Sequence, residues 1–115
     1  MNSEKDCIFC KIVRGEIPST KVYEDEEVLA FKDISPKAPV HVLVIPKKHI
    51  ADGASGITAG NSSYIAKVFE AIAKIAGDLG LDSFRVVNNC GKSAGQSVFH
   101  IHFHLIAGQK FKEVI

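Results

Sequence analysis

From Phe99 to Leu105 the chain alternates without a break, with large apolar residues at 99, 101, 103 and 105 and histidines at 100, 102 and 104. Successive side chains of an extended strand point to opposite faces. The pattern therefore predicts a strand over 98–106, with Ile101, Phe103 and Leu105 on one face and three imidazoles on the other. A different period runs through Ile65, Val68, Phe69, Ile72, Ile75, Ala76 and Leu79. These recur at helical spacing and predict a long amphipathic helix, with Ser62 as N-cap and Gly80 at its C-terminal end. A short helix is expected over 7–14, capped by Asp6 and stopped by Gly15, with Pro18 beyond. Strands over 20–24 and 28–32, joined at Asp25-Glu26, read as a hairpin. Residues 40–45 are apolar on both faces apart from His41, which suits a central strand ended by Pro46. A further strand is expected over 84–88. Residues 35–39, 51–61 and 91–95 read as loops. The order is helix, three strands, helix, two strands. It predicts an α+β fold: a five-stranded, mostly antiparallel sheet with the long helix on one face. That helix should cover Ile101, Phe103 and Leu105, leaving the histidine face for a ligand.

The size, 115 residues, sets the expectation of a single domain over 1–115. A hydrophobic fraction of 46% and a charged fraction of 23% are ordinary globular values. The net charge of +1 offers no electrostatic case for a nucleic-acid partner. No apolar run reaches the length of a membrane span, and the polar start over 1–6 does not read as a signal peptide. The expectation is a cytoplasmic protein with no membrane partner. Three cysteines, an odd number in a reducing compartment, argue against a disulfide framework.

Chemistry concentrates in four places. A single histidine on a strand is usually a hydrogen-bonded core residue. Three in alternation, out of five in the chain, are a signal for chemistry. Two chemistries stay open: a zinc site, or an imidazole nucleophile with supporting donors. Directly before the row, Gly91-Lys92-Ser93-Ala94-Gly95-Gln96-Ser97 reads as an anion cradle, because glycine lets backbone N–H groups approach closely and Gln96 and Ser97 add donors. It is not a P-loop, since the strand–loop–helix context is missing. Cys7-Ile8-Phe9-Cys10 is either two small buried hydrophobes or half of a zinc site, for which His49 is a candidate further ligand. Cys90 reads as a small filler. Asp33, at the end of a strand, either caps a turn or accepts the hydroxyls of a ribose. No carboxylate cluster suited to Mg²⁺ is present in the pattern.

Taken together these segments resemble the histidine triad (HIT) family of nucleotide-binding hydrolases and transferases. The family signature, three histidines alternating with apolar residues and followed by two more, matches His100-Ile101-His102-Phe103-His104-Leu105-Ile106 throughout. Gly95-Gln96-Ser97-Val98-Phe99, the run from Phe31 to His41, and Ile45-Pro46-Lys47-Lys48-His49 fit as well. Cys7-Ile8-Phe9-Cys10-Lys11-Ile12 resembles the Hint-type phosphoramidase branch. The resemblance spans about residues 7–106. It implies that His102 is the nucleophile and takes up a nucleoside monophosphate, which water then releases. His104 and Ser97 would contact phosphate and leaving group, and His41 would belong to the supporting network. Asp33 would bind the ribose and Ile34 the base, while Asn89, Gly95 and Gln96 would contact phosphate. It also implies a structural zinc on Cys7, Cys10, His49 and His100, no catalytic metal, a purine nucleotide substrate and a homodimer.

Two segments depart from the family pattern. Residues 51–63 are unusually rich in Gly and Ala and are expected to be adaptable. The tail over 108–115 lacks the aromatic ending of some Hint-type members, which bears on the leaving group. The expected activity is hydrolysis of purine nucleoside phosphoramidates. Its alternatives are a dinucleoside polyphosphate hydrolase, a metal hydrolase built on the three histidines, and a nucleotide-binding module with little turnover.

Overall fold

The computed structural model describes residues 6–113. The polar stretch 1–5 and the last two residues of the tail lie outside the described residues. In chain order the elements are α1 (Ile8–Val13), β1 (Lys21–Glu24), β2 (Val28–Lys32), β3 (Val40–Pro46), α2 (Ser62–Asp78), β4 (Arg85–Val87) and β5 (Phe103–Ala107). One antiparallel sheet contains all five strands in the order β1-β2-β3-β5-β4. This is the α+β arrangement that the period changes along the chain predict.

The central strands are buried on both faces, which is why β2 and β3 are apolar runs and not alternating ones. Val28, Ala30, Val42, Val44, Ile101, Phe103 and Leu105 meet Val68, Ala71, Ile72 and Ile75 of α2. On the opposite face, Leu29, Phe31, Leu43 and Ile45 pack against Cys7, Phe9, Cys10 and Ile12 of α1 and its cap. The long helix thus covers the expected face of β5, and the short helix covers only part of the other. The remainder of that second face carries the histidines.

Local chemistry sets the element ends. Asp25 Oδ1 accepts from the N–H groups of Glu27 and Val28 at 2.8 Å each and turns the β1–β2 hairpin. Cys7, and not Asp6, is the N-cap of α1: its sulfur accepts from the Cys10 N–H at 3.3 Å. Asn61, and not Ser62, precedes α2. The Asn61 side chain accepts from Thr58 N and donates to Gly56 O, so it folds the preceding loop. Gly80 ends α2 at φ +67, with Leu81 N–H bonded to Ala76 O and its own N–H to Gly77 O. This is a Schellman ending, which needs the left-handed residue that glycine supplies. The strand expected over 98–106 forms only from Phe103. Pairing of β3 with β5 stops at Val44↔Phe103, near Pro46, which has no N–H to give to a ladder. β4 is likewise shorter than expected, since its pairing ends at Val87↔His104 and Asn88 Nδ2 donates to His102 O at 2.8 Å beyond it.

Candidate functional site

Strand register brings the histidines together. Leu43 pairs with His104 and His41 with Ile106, so His41 lies diagonal to His104 on one sheet face, within reach of long side chains. Their rings meet, with His41 Nε2 2.9 Å from His104 Nδ1. His102 follows along the same face, 5.1 Å from the His104 ring. These three imidazoles form one wall of a cavity of about 730 Å³, also lined by Phe9, Asp33, Ile34, Asn89, Gly95 and Ser97.

Hydrogen bonding determines where the protons sit. The carbonyl of His100 only accepts, so His102 Nδ1, 2.8 Å away, carries a proton and donates it. His102 Nε2 is then the unprotonated nitrogen in the neutral ring. His41 Nδ1 accepts from Lys37 N–H at 2.9 Å. His41 Nε2–H therefore faces His104 Nδ1, with Asp33 Oδ2 at 3.3 Å. That leaves His104 with its proton on Nε2. Burial, reinforced by neighbouring imidazoles, pushes His104 down to about 4, and burial also lowers His102. Asp33 Oδ1 accepts from Ser35 N at 2.7 Å, which orients the carboxylate at the cavity edge. Ile34 is 97% exposed beside it, an apolar side chain presented to the cavity mouth.

The cradle departs from expectation at one residue. Gly95, at φ +100, and Ser97 line the cavity, but Gln96 does not. Its carboxamide is buried and fully engaged: Oε1 accepts from Gly91 N at 2.8 Å, and Nε2 donates to Asp52 O and Val98 O. A Cβ on Gly53 would lie 3.1 Å from that oxygen, so glycine permits the close packing. Gln96 therefore closes the loop and offers no side-chain donor to an anion. The 51–63 segment that it grips is tied at several further points, among them Ala51 O to Ile101 N–H and Ile50 O to Asn61 Nδ2. Cys90 is exposed and its thiol faces Ser55 Oγ at 3.6 Å, which lowers its pKa; it fills no core space.

The third histidine of the row leaves the cavity. His100 is fully buried and meets Cys7, Cys10 and His49, their four ligand atoms lying within 4.8 Å of one another. His100 Nδ1 is 3.4 Å from Cys7 Sγ and 3.5 Å from Cys10 Sγ, and His49 Nδ1 is 3.5 Å from Cys10 Sγ. A tetrahedral zinc places sulfur and nitrogen ligands about 3.6 Å apart. Both rings have their outer nitrogens committed as donors: His100 Nε2 to Pro46 O at 2.7 Å, and His49 Nε2 to Asp52 Oδ1 at 2.9 Å. The Nδ1 lone pairs thus point at the sulfurs, as ligating histidines require. The cluster fits a closed structural zinc. The first histidine of the row thus joins the cysteines, and the other two face the cavity beside His41 and Asp33.

Three contributors carry no signal in the sequence pattern. Asn88 holds the His102 carbonyl, Asp52 orients His49, and Phe9 stacks edge-on against His102 at 5.1 Å.

The antiparallel sheet and its flanking helices match those of histidine triad proteins. The chain belongs to the HIT family: the model of the HIT domain matches residues 14–111. A 14 kDa zinc-binding protein of Zea mays is 44% identical over 126 residues, with 96% of this chain and 95% of that protein covered. A histidine triad protein from Clostridium difficile superposes with a TM-score of 0.92 at 50% identity, over 100% of both chains. A HIT family hydrolase from Clostridium thermocellum gives 0.92 at 46% identity, over 98% of this chain and 99% of that one.

Proposed function

We propose that this HIT protein is a hydrolase of purine nucleoside 5′-phosphoramidates, of the Hint-type branch, that works through a nucleotidyl-His102 intermediate. One observation carries the reading: the Nδ1–H of His102 is committed to the His100 carbonyl, so the unprotonated Nε2 belongs to a ring at the cavity wall. An imidazole in this tautomer is a ready nucleophile, and the carbonyl stabilises the positive charge that the ring gains on attack.

The substrate class follows from the lining. Apolar walls from Phe9 and Phe31, with Ile34 at the mouth, suit a flat base, and the Asp33 carboxylate suits ribose hydroxyls. Asn89, Gly95, Ser97 and the Nε2–H of His104 suit phosphate oxygens. In the first step, His102 Nε2 bonds to phosphorus, and the P–N bond to the amine breaks. The amine leaves with that electron pair and a proton taken from solvent, which the water of the second step gives back when its oxygen bonds to phosphorus. In the second step, water takes the place of the ring, which frees the nucleoside monophosphate and restores the neutral imidazole. Positioning and hydrogen-bond donors supply the rate enhancement. A structural zinc on Cys7, Cys10, His49 and His100 holds α1 to the sheet in this reading. We further propose a homodimer, supported by the edge position of β4 and the exposed Phe84 that precedes it.

A rapid quench of the protein with a nucleoside phosphoramidate, followed by intact mass measurement, tests the intermediate. A transient nucleotidyl adduct is expected, lost in His102→Ala while nucleotide binding is retained. An adduct of undiminished yield in that variant would overturn the assignment. A faster turnover of dinucleoside polyphosphates than of phosphoramidates would replace the substrate class.

A further inference from the structure

One peptide group joins the Cys₂His₂ cluster to the cavity. The amide between His100 and Ile101 has its N–H bonded to Ala51 O at 3.0 Å and its carbonyl bonded to His102 Nδ1–H at 2.8 Å. This amide lies outside β5, so no ladder sets its orientation. Its orientation is set from two sides, one a cluster ligand, His100, and the other Ala51, two residues from the ligand His49. His100 is anchored through its ring, with Nε2 on Pro46 O and Nδ1 facing both cysteines. Ala51 sits two residues after His49, in a turn closed by the His49–Asp52 hydrogen bond and gripped by Gln96 on Asp52 O. Between the two cysteines, Phe9 packs its ring against His102 at 85° and also against His100. The ligands and their chain neighbours Ala51 and Phe9 thus hold the donor side, the acceptor side and one face of the His102 environment.

We propose that the cluster, when filled, is a positioning device for His102: it holds the His100–Ile101 amide between Ala51 and the His102 ring, and so fixes the tautomer and aim of that imidazole. The proposal rests on the reading of the cluster as a zinc site and of His102 as the nucleophile. A zinc that only pins α1 to the sheet would lower stability and leave His102 as it is. A zinc that also holds this amide makes the ring respond directly. Loss of the ligand bonds frees the His100 side chain and the 49–52 turn together, so the carbonyl is no longer aimed at Nδ1–H. A modest displacement of a reacting group costs roughly tenfold to a hundredfold in rate.

The experiment uses the full chain labelled with ¹⁵N in its histidines, zinc-loaded and then treated with chelator, without substrate. In the loaded protein, His102 is expected in a single Nδ1–H tautomer whose proton exchanges slowly with water. On zinc removal, the Nδ1–H signal should broaden into solvent exchange and the two ring nitrogens should average. Single-turnover formation of the nucleotidyl adduct should fall roughly tenfold to a hundredfold, with nucleotide affinity within about twofold. A folded, metal-free protein with the same protected Nδ1–H and the same adduct rate overturns the proposal. Should circular dichroism show the metal-free chain unfolded, zinc-loaded Asp52→Ala takes its place. Asp52 is a half-buried residue whose loss releases His49 from one side, and faster Nδ1–H exchange is expected there. Unchanged exchange in that variant overturns the proposal equally. Calorimetric titration of zinc into the same samples separates the failures. No uptake removes the zinc reading and this proposal with it, whereas uptake without any response at His102 removes the proposal alone. A tautomer that responds to zinc in a protein forming no adduct would remove the nucleophile reading and leave the coupling standing.

Discussion

His104 lies among His41, His102 and Asp33, and its burial there holds its pKa at about 4 against an ordinary 6.5. The sign of the consequence follows from proton counting. Between pH 6.5 and about 4 the unfolded chain binds a proton at this residue that the folded chain excludes. The stability contributed by neutral His104 is therefore complete above pH 6.5 and is lost as pH falls through that window. Urea unfolding across it should show a shallower loss for His104→Gln than for the parent chain. Equal slopes would mean that His104 titrates alike in both states. Asp33 allows a second prediction at the same scale. Its carboxylate is held at the cavity edge by Ser35 N–H and His41. Asp33→Ala should weaken nucleotide binding by about tenfold, the worth of about one hydrogen bond to a charged group, and an unchanged Kd would exclude it from the ribose subsite. Single residues were unevenly legible in the chain. The histidines announce themselves by type and spacing. Gln96 looks like a donor for an anion because its type and position suit one, and only packing turns its amide inward. Asn88 and Asp52 act through one hydrogen bond each, to partners 14 and 3 residues away, and no periodicity marks such contacts.

The elements were legible wherever burial imposes a pattern on the chain. α2 follows from its apolar period because burial against the sheet rewards that spacing, and β2 from an apolar run buried on both faces. β5 was legible as to which side chains face which way, but its start was not. Alternation continues through Ile101 and His102 while backbone pairing ends at Phe103, since side-chain burial and ladder hydrogen bonds are separate requirements. Leu105, fully buried at the centre of β5, tests the load on this strand. Leu105→Ala should lower unfolding free energy by about 2–5 kcal/mol in denaturant titration. The Gly80 ending of α2 is a smaller test: an Ala at φ +67 should cost about 1–2 kcal/mol. A Gly80→Ala chain as stable as the parent would mean that the helix ends in another way.

For the molecule as a whole, the two apolar clusters on opposite sheet faces are joined through the sheet, and the Cys₂His₂ cluster lies within the smaller one. Removal of zinc should therefore act first on α1. At free zinc a hundredfold above its Kd, the bound ion contributes about 2.7 kcal/mol of stability, all of it lost to a chelator. Cys10→Ser should reproduce most of that loss without added chelator, and a variant of full stability that takes up no zinc would contradict a structural role. No described helix is long and apolar enough to cross a membrane. Sedimentation equilibrium should find twice the chain mass for the proposed homodimer, and a monomer mass throughout the concentration range would withdraw it.

Composition and periodicity settled the secondary elements, the α+β class and the helix-facing side of β5, because burial imposes its spacing on neighbours along the chain. Residue type alone marked the histidines and the cysteine pair as chemistry. Which imidazole serves the cluster and which two face the cavity was decided by register and by the carbonyls of Pro46 and His100. Those contacts join residues far apart in the chain, and hydrogen-bond direction exists only once both partners have a place in space.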